Sequence, residues 1–147
     1  MNIQTVLVQF LERGMALQTF WGFYISVAAA LIAFFGSSHR SKRMAVLASV
    51  IFVAFAWVNL AGMTEIWLQR KFLWGVLHTA SANGFLTGAL DKSIIPAMTD
   101  PSEPYPLTAL RSFHAGADLL VFGAIWILTI WPPQTKKDGV PAKDAST

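Results

Sequence analysis

The sequence predicts an all-α, polytopic membrane protein built as a four-helix transmembrane bundle. The chain of 147 residues is 54% hydrophobic and only 13% charged, where a soluble domain carries about 25% charged residues. Stretches 16–35, 44–63 and 115–131 are dominated by apolar side chains, and a hydrocarbon core about 30 Å thick takes roughly 20 such residues of helix to cross. A fourth stretch, 72–90, has the same length but carries His78, Ser81, Asn83 and three glycines. Polar groups at membrane depth are costly and tend to face protein or a cavity. Stretch 72–90 therefore reads as the interior helix of the bundle. The alternative architecture is three spans with 72–90 as a re-entrant segment.

Residues 1–15 form the first expected unit. Ile3, Val6, Leu7, Phe10 and Leu11 recur at helical spacing, which predicts an amphipathic helix lying in the membrane interface. It is followed by the transmembrane bundle, 16–131. Glu12 and Arg13 precede a first apolar run longer than the about 7–15 residues of a signal-peptide core, so the run is read as retained. In this span Gly22, Ser26, Ala29, Ala30 and Ala33 make a small-residue face suited to close helix contact. Phe20, Trp21, Phe23 and Tyr24 read as an interfacial aromatic belt. Gly36 followed by Ser37 and Ser38 ends the helix, since glycine tolerates the left-handed conformation of a helix cap.

The short basic loop 39–43 returns the chain to the second span, 44–63, which continues as helix to Leu68 with Asn59 inside it and Glu65 just beyond. Gln69, Arg70 and Lys71 then read as a polar turn before span three. In that third span Ala80, Gly84 and Gly88 form a small-residue stripe for helix packing, with Gly75, Thr79, Asn83 and Thr87 as a second row. Pro96, Pro101, Pro104 and Pro106 make 91–110 a loop, because proline lacks the amide donor and clashes with the preceding turn. The fourth span runs from about Thr108 to Trp131, where Pro132 and Pro133 stop it. The tail, 132–147, is polar and expected to be disordered.

Charge leaves the orientation undecided. With four crossings, Arg40, Lys42, Arg43, Lys92 and Arg111 fall on one side, and Arg13, Arg70, Lys71, Lys136, Lys137 and Lys143 on the other. If 72–90 does not cross, both basic clusters share a side, which is the main argument for three crossings. The expected location is the cell (inner) membrane. The bilayer is the first partner, and so small a bundle predicts a homo-oligomer or a larger membrane complex. No basic face or motif points to nucleic acid.

The chemistry rests on few residues. The chain has no cysteine, which removes disulfides and thiolate chemistry. His114 and Asp118 are four residues apart and share one helix face, with Arg111 a turn earlier. His78, Asn83, Glu65 and Asn59 complete the candidate ligand- or proton-handling set. With four crossings these groups could line a path Glu65–His78–Asn83–Asp118–His114. With a re-entrant segment, Glu65, His78, His114 and Asp118 gather near one face. No His-x-x-x-His or Glu-x-x-His spacing is present, so no metal site is assigned, and the sequence names no cofactor.

Three classes of function follow. One is a small carrier that binds or moves a ligand or proton through the bundle. A second is a membrane-embedded enzyme acting on a quinone-, sterol- or polyketide-type substrate, in which histidine exchanges protons near neutral pH beside a carboxylate. A third is a non-catalytic assembly subunit in which the small-residue stripe matters and the ionisable groups do not.

Overall fold

The computed structural model describes residues 3–37, 41–83 and 105–131. Their secondary structure is helical throughout: α1 (Ile3–Gly36), α2 (Lys42–Ala82) and α3 (Leu107–Ile130). Each is long and apolar enough to cross a membrane. The helix ends follow from local sequence. α1 stops at Gly36. Ser41 caps α2, its hydroxyl accepting the Met44 amide at 3.3 Å, which satisfies one of the amides a helix start leaves without a partner. Pro106 precedes α3 with its backbone extended, and its ring fixes the entry without sacrificing a needed donor.

α2 corrects the predicted turn at Gln69, Arg70 and Lys71. These residues lie inside one uninterrupted helix of 41 residues. The expectation rested on polarity alone. Gln, Arg and Lys are good helix formers, and this stretch has none of the glycine or proline that would break a helix. Their side chains also find partners within the fold. Gln69 Nε2 donates to Glu65 Oε1 at 3.2 Å, Arg70 lies 4.7 Å over the Phe10 ring, and Lys71 lies 5.4 Å over the Trp67 ring. Residues 72–82 therefore continue outward from the second span and do not turn back beside it. A separate fourth helix or re-entrant segment is not seen among the described residues. Gly84, Thr87 and Gly88 of the predicted stripe lie outside them, as do the tail 132–147 and most of the loop 91–110.

α1 and α2 are antiparallel over nearly their whole length. Phe35 clusters with Ala45 at one end, Leu17 with Met63 and Trp67 midway, and Val6 and Phe10 with Leu73, Leu77 and Ala80 at the other. α3 runs beside α1 and antiparallel to α2. Its Leu110 joins the Leu17–Met63–Trp67 cluster, and Val121 and Ile125 join Tyr24, Ala28, Phe52 and Ala56. Trp67 Nε1 donates to the Tyr105 carbonyl at 3.0 Å, which ties the approach to α3 onto α2. Residues 3–15 run into the first span without a break and pair with the end of α2 as a two-helix arm beyond α3.

The outward faces suit a bilayer. Phe23, Val50, Trp57, Val58, Phe113, Leu119 and Leu120 are all exposed, while Ser49, Asn59 and His114 are buried. This distribution fits a lipid exterior and an interior that holds the polar groups. At 1.5 Å per residue α2 is about 60 Å long, twice the hydrocarbon thickness. Only about half of it would fit inside a bilayer. Glu12, Arg13, Glu65, Arg70 and Lys71 fall at the level where the arm would leave it.

Candidate functional site

The polar groups that the structure gathers are Tyr24 of α1, Asn59 of α2, and His114 and Asp118 of α3. Each is placed by helix register. Along α2 the buried residues Ala45, Ser49, Phe52, Ala56, Asn59 and Met63 alternate spacings of four and three, the seam pattern of packed helices. Asn59 therefore points inward because its seam does. Along α1, Phe10, Leu17 and Tyr24 repeat at seven residues, which turns Tyr24 to the same interior. His114 lies four residues after Leu110 and seven before Val121, all of them buried, and Asp118 is one turn farther on.

The hydrogen bonds fix the orientation of every group. Asn59 Nδ2 lies 3.3 Å from Met63 Sδ and 3.2 Å from His114 Nε2. An amide nitrogen only donates, so Met63 and His114 Nε2 both accept. With Nε2 an acceptor, Nδ1 carries the proton that Asp118 Oδ2 accepts at 2.9 Å. Tyr24 donates its hydroxyl to the other oxygen, Asp118 Oδ1, at 2.8 Å. The result is a chain, Asn59 to His114 to Asp118, with Tyr24 of α1 as a second donor to Asp118. Aromatic rings close around the imidazole: Tyr24 at 4.7 Å and Trp21 at 5.7 Å between centroids.

Burial separates the members. His114 is 0% exposed, whereas the Asp118 side chain is 28% exposed. Asp118 is the member of this network that lines a groove of about 370 Å³ between α2 and α3, together with Phe52, Trp57, Leu60, Leu119 and Phe122. Among the described residues, no Lys, Arg or His lines the groove. Trp57, Leu119 and Phe122 are also exposed on the outer surface, so the groove faces the same side as the lipid-suited faces. Its volume falls within the range of about 300–1,000 Å³ usual for small-molecule sites, which combine apolar walls with few polar groups.

The remaining predicted residues are elsewhere. Glu65 is exposed and bonded to Gln69. His78 is exposed and stacks on Trp74 at 4.9 Å. Asn83 is the C-cap of α2, at the far end of the arm. The polar path Glu65–His78–Asn83–Asp118–His114 is therefore not formed, and neither is a cluster of Glu65, His78, His114 and Asp118. The physical reason is the continuity of α2, which carries residues 72–83 away from α3. Ala80 does pack, but against the start of α1. Among the described residues no three His, Asp or Glu side chains come together as a metal site would need. Toward the Phe35 end of the bundle the interior is Ala28, Phe35, Ala45, Phe52 and Ile125, with Ser49 as its buried polar residue among those described. The polar constellation thus occupies one part of the bundle and does not cross it.

The sequence reading missed Tyr24, which it assigned to an aromatic belt. The seven-residue spacing from Phe10 through Leu17 was the available signal. No protein-family model matches this chain, and no curated protein or solved structure matches it either.

Proposed function

We propose that this chain is an integral membrane protein that binds a small, largely apolar ligand from the bilayer in the groove between α2 and α3, with Asp118 holding the ligand's polar head. The observation that carries the reading is the division of exposure along one hydrogen-bonded chain: His114 fully buried, Asp118 partly open to an apolar groove. Asp118 has accepted one bond on each oxygen, and a carboxylate has lone pairs to spare for a donor in the groove. Tyr24 and His114 act on the ligand through Asp118 by orienting it, and Asn59 acts through His114, as outer-shell partners do around a binding group. This arrangement favours binding over acid–base catalysis by His114, since both ring nitrogens are engaged and the ring is out of reach of a groove occupant. The helix order implies three crossings, with loop 39–43 and tail 132–147 on one side of the membrane and loop 91–104 on the other.

The test is a titration of the protein in lipid nanodiscs with lipophilic amines, phenols and fatty acids, read by its tryptophan fluorescence. At least one class should shift the emission of the wild type. Asp118→Asn, which keeps the side-chain shape, should lose the response at an unchanged helical content. A response equal in both proteins, or none to any class in the wild type, contradicts the proposal.

A further inference from the structure

The groove also specifies the charge of its occupant. Among the described residues, Asp118 is the ionisable group lining it, and no basic side chain lines it to balance a carboxylate. The titratable neighbours that face Asp118 are Tyr24 from α1 and His114 from its own helix; α2 contributes the neutral Asn59 one step behind. Both contacts to Asp118 are donations, from the Tyr24 hydroxyl and from His114 Nδ1, and neither donor lines the groove. A carboxylate so placed in apolar surroundings is costly unless it is paired or protonated, and a cation in the groove supplies the pairing.

The walls point the same way. Phe52, Trp57 and Phe122 surround the groove, and the face of an aromatic ring attracts cations, tryptophan most strongly and most of all where water is excluded. A fatty acid or phospholipid phosphate would bring a second negative charge to Asp118. A neutral phenol would use one lone pair and leave the charge unbalanced. From this charge complementarity we infer that the ligand is a lipophilic cation, an organic ammonium or phosphonium with apolar substituents, seated with its charge against Asp118 and its substituents among the aromatic rings. The inference rests on the groove being a ligand site.

Tetraphenylphosphonium and tetraphenylborate are close in shape and opposite in charge, and 4-phenylphenol supplies a neutral hydroxyl. Binding of all three to the detergent-solubilised protein is measured by equilibrium dialysis. The phosphonium is expected to bind at least tenfold more tightly than either of the others. Asp118→Asn should weaken it at least tenfold. Trp57 is 77% exposed, so its replacement leaves the interior packing intact. Trp57→Ala should therefore weaken the phosphonium several-fold while Trp57→Phe retains most of the affinity, a pattern that a purely structural role would not produce. If 4-phenylphenol binds in an Asp118-dependent way and the phosphonium does not, the cation assignment is overturned and the groove remains a ligand site. If none of the three binds to folded protein, both are overturned. Equal binding of phosphonium and borate also overturns the charge argument.

Discussion

Removing the Tyr24 hydroxyl should cost the bundle stability, and only while Asp118 is present. In Tyr24→Phe the ring remains among Trp21, Phe52 and Phe55, so the change reduces to one hydrogen bond of 2.8 Å to Asp118. Bonds to charged groups contribute about 1.5–3 kcal/mol in soluble proteins. Side-chain bonds between membrane helices average about 0.6 kcal/mol and reach about 1.7, because the separated helices find other partners. Asp118 is a carboxyl acceptor partly open to the groove, which places this bond near the upper membrane value, about 1–1.5 kcal/mol. With Asp118→Leu as background, the Tyr24 hydroxyl has lost its acceptor in a buried position, and Tyr24→Phe should be neutral or stabilising. A double-mutant cycle measured by reversible unfolding in mixed detergent, followed by tryptophan fluorescence, gives the coupling directly. Distant independent sites add within about 0.3–0.5 kcal/mol, so a coupling inside that scatter would refute the contact.

Two other outcomes follow from packing and topology. A Cβ on Gly62 would lie 2.5 Å from the Phe20 ring, while one on Gly22 would meet nothing within 4 Å. Gly62→Leu should therefore destabilise the α1–α2 pair by about 1–3 kcal/mol, as overpacking does, while Gly22→Leu leaves the melting temperature of the isolated protein unchanged; equal shifts would contradict the packing. The chain has no native cysteine, so Ser41→Cys, Ser102→Cys and Ser146→Cys can each be labelled cleanly with a membrane-impermeant maleimide. Three crossings predict that Ser41→Cys and Ser146→Cys label from one side and Ser102→Cys from the other, whereas pairing of Ser41→Cys with Ser102→Cys would restore a fourth crossing.

The apolar runs 16–35, 44–63 and 115–131 were legible as helices because length and hydropathy are properties of a single segment. The pair His114–Asp118 was legible for a similar reason, since residues four apart on one helix must be neighbours. What failed was the inference from polarity to a turn at 69–71. Polar side chains end a membrane span, but they do not end a helix, and Arg70 and Lys71 extend α2 by stacking on Phe10 and Trp67. From that single misreading came the wrong company for His114: His78 and Asn83 were brought toward it, although the arm carries them away. Tyr24 and Asn59 required the register between helices. A tyrosine in an apolar run is ambiguous between interface and interior, and only the seam through Phe10 and Leu17 resolves it. The groove was not legible, because it is the space left between two helices and belongs to no one segment.

The tautomer of His114 tests the core of the account most directly. Asn59 donating to Nε2 and Nδ1 donating to Asp118 together place the ring proton on Nδ1. Solid-state nitrogen NMR of histidine-labelled protein in lipid, with His39→Gln and His78→Gln introduced to leave one signal, reports the two ring nitrogens separately. The account predicts a protonated Nδ1 and a bare Nε2 at neutral pH, and loss of that preference in Asn59→Leu. A ring carrying its proton on Nε2, or one that Asn59→Leu leaves unchanged, would contradict it.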